Sequence, residues 1–158
     1  MKTKLVPIVL LVALTACNNG INYPNSPETD LIGGWTIDAL VQYGKSGVEE
    51  KIPSPTAWSW SKGSIMFLME PHTIQLTYFN NLSSTYTTKS NNRITIADQW
   101  GGTEAGGSND WENRLLQALN ATNHWLVEGD TLYLIFDSQE EKPYNAIRCS
   151  AGISIANQ

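Results

Sequence analysis

The chain has 158 residues, 41% of them hydrophobic and 16% charged, with a formal net charge of −5. That length and apolar content support one domain with its own core, and an acidic chain without a basic run argues against nucleic acid or anionic lipid as a partner.

Met1-Lys2-Thr3-Lys4 is a short basic start, and Leu5 to Leu14 is an apolar run interrupted only by Pro7. That run falls well short of the roughly 20 residues that span a bilayer, so it reads as a secretory signal. Leu14-Thr15-Ala16-Cys17 resembles the bacterial lipobox, in which the Cys thiol is acylated and becomes the new N-terminus. The reading is therefore a signal peptide over 1–16 and lipid attachment at Cys17. Cleavage removes Lys2 and Lys4 and no acid, which takes the net charge from −5 to two units lower, −7. Each buried methylene contributes about 0.8 kcal/mol, so two or three acyl chains anchor a protein for practical purposes permanently. The expected partner through that lipid is the membrane, and the expected compartment is the cell envelope. Asn18 follows the Cys, and with no Asp there the outer membrane of a Gram-negative host is the expected leaflet. With Cys17 acylated, Cys149 is left without a disulfide partner, and in Ala146-Ile147-Arg148-Cys149 it reads as a buried, inert thiol.

From Cys17 to Asp30 the chain is rich in Asn, Pro, Ser and Gly, too poor in apolar residues to fold alone, and reads as a stalk. A single domain is expected over 31–158. Its pattern is mostly period two. Trp35, Ile37 and Ala39 alternate in a first strand that extends toward Val41, and Ser64 to Met69 is a short apolar strand. Ile74, Leu76 and Tyr78 alternate with Gln75 and Thr77; Thr85-Tyr86-Thr87 precede an Asn91-Asn92 turn, and Ile94 and Ile96 alternate again. Gly101 to Ser108 holds four glycines and reads as loop. Trp111, Leu115, Ala118, Leu119 and Thr122 then fall on one face of a helix, with Asn109 and Glu112 at capping-box spacing. Trp125 and Val127 lead into a Gly129-Asp130 hairpin turn, where Gly accepts a positive φ at the first position. Leu132, Leu134 and Phe136 follow it, and Tyr144 to Ser150 supplies a last strand. The expected fold is mostly β (α+β): a curved antiparallel sheet or partly open barrel of about eight strands, with one amphipathic helix packed against it.

The order of these elements carries a resemblance. Phe79 to Tyr86, Ile94-Thr95-Ile96, Glu112 with Leu116 and Leu119, and Trp125 to Leu134 around Gly129-Asp130 resemble the META domain, the HslJ-like family of bacterial envelope proteins. Leu31-Ile32-Gly33-Gly34-Trp35 resembles its opening strand. Two features depart from the family pattern: its Cys before Asn is here Phe79 or Asn80, and its Met-Ala-Cys stretch is replaced by the glycine-rich loop. Lipocalin-like lipoprotein domains share the Leu-x-Gly-x-Trp opening and stay open as an alternative. What the META resemblance implies is a non-enzymatic role in envelope maintenance or stress, through protein or apolar-ligand contacts. A lipocalin-like barrel implies instead a carrier of a small hydrophobic molecule.

Candidate chemistry is sparse. His72 and His124 lack the ligand spacing of a metal site and read as solvated. Asp98, Glu104, Asp110 and Glu112 cluster before the helix, where Asp110 and Glu112 also suit the helix dipole. Neither a catalytic set nor a cofactor or metal site is expected. Trp58 and Trp60, two residues apart in a polar segment, are candidate ligand-binding residues: an aromatic pair on one strand face that would stack on sugar rings. That pair supports a third reading, a glycan-binding accessory lipoprotein.

Overall fold

A computed structural model describes residues 26–44, 47–54, 62–103, 110–136 and 144–152. A single 3-10 turn, Glu28–Asp30, leads into β1 (Gly33–Gly44), β2 (Gly47–Pro53), β3 (Ser64–Leu68), β4 (Thr73–Thr77), β5 (Asn81–Lys89), β6 (Arg93–Ile96) and β7 (Gly101–Thr103). The helix α1 (Asp110–Ala121) follows, then β8 (Thr122–Glu128), β9 (Thr131–Phe136) and β10 (Tyr144–Ala151).

Every strand pairs antiparallel, in the order β10-β9-β8-β6-β5-β4-β3-β1, and β10 pairs back onto β1. Eight strands thus close into a barrel, with β2 added to the far half of β1 and β7 added to β5. At this strand number the interior is about wide enough for side chains to fill it. Phe67, Ile74, Leu76, Tyr86, Trp125, Leu132 and Leu134 fill it, all buried. α1 packs against β6, β9 and β10 and adds Trp111, Leu115, Ala118 and Leu119 to the same core. Full burial of a Leu contributes about 1.5–3 kcal/mol, so Leu115 and Leu119 alone hold the helix firmly.

Local chemistry sets the turns. Asn91 and Asn92 both take positive φ, 61° and 54°, between β5 and β6, a conformation Asn tolerates better than most residues. Gly129 takes φ 59° at the first of the two residues joining β8 and β9, as expected. Thr122 Oγ1 donates to the Ala118 carbonyl at 2.9 Å where α1 gives way to β8.

The structure corrects the alternation in β1. Ile37 lies opposite Cys149 but Ala39 lies opposite Arg148, so a bulge at Asp38 shifts the register by one. Because side chains alternate faces, this one-residue slip leaves Trp35 and Ile37 inside and turns Ala39 and Val41 outward. There they form a second buried cluster with Leu126, Tyr133, Ile135 and Ala146 on the outer face of β8, β9, β10 and β1. Likewise, the glycine-rich stretch is not all loop: Gly101 to Thr103 pair with Ser83, Leu82 and Asn81. A Cβ on Gly102 would come within 2.0 Å of the Asn81 carbonyl oxygen, which is why glycine stands there.

The chain is already fixed to the barrel before Leu31. Ser26 N–H donates to Asn92 Oδ1 at 3.0 Å, and Trp35 Nε1 donates to the Leu31 carbonyl at 2.9 Å. No helix among the described residues is long and apolar enough to cross a membrane.

Candidate functional site

Cys17, Trp58, Trp60, Glu104 and Asn109 lie outside the described residues. The remaining acids of the expected cluster separate: Asp98 and Asp110 are exposed, whereas Glu112 is buried. Glu112 Oε1 accepts from the Asn80 backbone N–H at 2.9 Å, and Oε2 accepts from Asn80 Nδ2 at 2.6 Å. A carboxylate held by a backbone N–H and a side-chain amide of one residue ties α1 to the β4–β5 turn. Burial first, and then the Glu112 charge, push the Tyr78 hydroxyl above its ordinary range. Among the described residues no group of three or more His, Cys, Asp or Glu could hold a metal ion.

Cys149 is fully buried, and burial drives its thiol far above the usual range, with Asp38 adding to the shift and Arg148 opposing it. His72 is exposed, as its turn position suggests; its Nε2 lies 3.1 Å from Glu28 Oε1 and its ring meets Tyr86 edge-on at 5.2 Å. The Tyr86 hydroxyl donates to the Leu68 carbonyl at 3.0 Å and is pushed up to about 12, by burial and then by Glu28.

His124 departs from the solvated reading. It is half-buried, and it lines an open cleft of about 350 Å³ together with Lys89, Arg93, Ile94, Thr95 and Asn123. The cleft exists because β6 and β8 pair at one position only among the described residues, Arg93 opposite His124, so the barrel wall parts beside that pair. His124 Nδ1 lies 2.7 Å from Asn123 Oδ1. Burial, and secondarily the Arg93 charge, lower the His124 pKa below the usual imidazole value. Among the described residues no carboxylate lines the cleft. Sequence reading missed it because its basic groups come from the end of β5, the start of β6 and the start of β8, and no two of them are adjacent in the chain.

No protein-family profile matches the chain, and no curated protein does. A solved structure, that of a DUF4847 family protein from Bacteroides vulgatus ATCC 8482, is similar with a TM-score of 0.53 at 15% identity, covering 76% of this chain and 92% of that one. At that identity the likeness reaches the fold and no further.

Proposed function

We propose that this protein is a lipid-anchored, non-enzymatic module of the bacterial envelope, META-like in character, that acts through its surface. The observation that carries this reading over the lipocalin-like carrier is the filled interior. Trp125, Tyr86 and Phe67 occupy the barrel, and α1 adds Leu115 and Leu119 to the same core, where a carrier needs room for its ligand. The Leu-Thr-Ala-Cys box supports the anchor, and the placement of Ser26 on the barrel supports a short connection between Cys17 and the domain. An outer-membrane location in a Gram-negative host belongs to the same proposal.

Two measurements test it. Intact mass of protein taken from its own envelope is expected to match a chain beginning at Cys17 plus acyl groups; an unacylated mass would end the lipoprotein reading. Native mass spectrometry of the same material is expected to show no apolar molecule at stoichiometric occupancy. A small hydrophobic compound held through gentle desolvation would move the assignment to the carrier.

A further inference from the structure

We propose that the cleft at the β6–β8 junction binds a phosphate group, presented either by the headgroups of the membrane that holds the anchor or by a soluble phosphate. A chain of net charge −5 places Lys89, Arg93 and His124 around one cleft, with no acid among its described lining residues. Among the described residues neither Lys89 nor Arg93 has an ion-pair partner, so none of those residues neutralises their charges. The other lining groups are chemically apt: Thr95 brings a hydroxyl and Asn123 an amide, each able to donate to a phosphate oxygen. Arg93 supplies the planar fork that meets two phosphate oxygens at once, and Lys89 supplies a mobile point charge.

Position adds a second argument. Asn92, buried at the β5–β6 turn and next in sequence to Arg93, accepts from Ser26 N–H through its side chain and from Trp125 N–H through its carbonyl at 2.9 Å. The segment leading from Cys17 therefore meets the barrel beside the cleft. Eight residues lie between Cys17 and Ser26, so the nine Cα–Cα steps span on the order of 30 Å at full stretch. The anchor thus holds this face of the barrel within reach of the headgroup layer, where the local basic cluster, in contrast to what the chain's net acidity suggests, is attracted to anionic lipid. The membrane source rests on the lipidation reading; the cleft's affinity for phosphate does not.

The test uses the full acylated protein in a nonionic maltoside detergent, followed by amide and imidazole NMR while inorganic phosphate is added at constant ionic strength. Saturable shifts are expected at Lys89, Arg93, Asn123 and His124. Arg93→Glu is expected to weaken the apparent Kd by roughly tenfold or more, whereas Arg114→Glu, the same charge change on the exposed side of α1, leaves it within about twofold. Lys89→Glu is a second exposed-site variant in case Arg93→Glu perturbs the fold. A parallel arm places the protein in nanodiscs of phosphatidylglycerol or of a phosphate-free galactolipid. Cleft shifts specific to phosphatidylglycerol assign the headgroup as the source, and shifts with inorganic phosphate alone assign a soluble anion. Absence of saturable shifts in both arms, or equal responses in Arg93→Glu and Arg114→Glu, overturns the proposal. An unacylated intact mass beside a positive phosphate titration would remove the anchor and leave the site standing.

Discussion

Glu112, in the first turn of α1, grips Asn80 twice, once at its backbone and once at its side chain, across 32 residues of sequence. Glu112 is 3% exposed as a residue, so these bonds form largely shielded from bulk water, where a charge-assisted hydrogen bond is worth most.

Glu112→Ala is therefore expected to cost about 2–3 kcal/mol in chemical denaturation, since it strands the Asn80 N–H as well as removing the acceptor. Glu112→Gln keeps one acceptor and is expected to cost about half as much. A double-mutant cycle with Asn80→Ala should return a coupling of roughly 1–3 kcal/mol. Additive effects would show that the two residues act separately.

His124 gives a pH dependence with a definite sign. Its pKa is lowered in the fold, so the unfolded chain takes up a proton near 6.5 that the folded chain still refuses. This residue's contribution to stability is unaffected well above pH 6.5 and declines as pH falls from there toward the lowered folded value. The imidazole resonance should titrate below 6.5, and Arg93→Ala should move its midpoint upward by removing the secondary cause.

Cys149 should be inert to maleimide in the native protein and react only at the rate of global opening, because its sulfur is buried in the barrel core. The sign of its pH effect is the opposite of that of His124. The folded thiol stays protonated while the unfolded one ionises above about 8.5, so stability falls as pH rises past that point. Labelling of folded protein in seconds would contradict the assigned burial.

Two glycines of similar sequence context should respond differently to alanine. Gly102→Ala brings a Cβ onto the Asn81 carbonyl and is expected to detach β7 from β5 at a cost of about 1–3 kcal/mol. Gly34→Ala meets nothing within 4 Å and has no positive φ, so it is expected to be neutral or stabilising by up to about 1 kcal/mol. Melting temperature separates the two.

Much of this architecture was legible in period and punctuation. The interior positions Ile74, Leu76, Ile94 and Leu134, the face of α1 and the Gly129 turn follow from residue spacing alone. What escaped has physical causes. β2 carries Glu49, Glu50 and Lys51 in succession, which masks a strand behind a charged run. β7 is two glycines and a threonine, and the glycines mask the strand because Thr103 alone favours one. The bulge at Asp38 depends on which residue of β10 lies opposite, and no local pattern encodes that. Leu132, Leu134 and Phe136 mark one face of β9 in the sequence, yet Tyr133 and Ile135 on the other face are buried too. The basic cleft was invisible for a related reason: Lys89 and Arg93 flank a turn, and His124 joins them only because β8 returns to the start of β6.

The pairing of β1 with β10 has a kinetic corollary. Trp35 waits for Ala151, a neighbour made roughly a hundred residues later, and such distant contacts slow folding because loop entropy is lost before any bond rewards it. Until that late arrival, the leading strand presents bare amides and carbonyls to whatever else is nearby. In this interval the incompletely folded chain most needs a chaperone's cover, and substitutions that delay the final strand should show first as lost yield and only afterwards as lost stability.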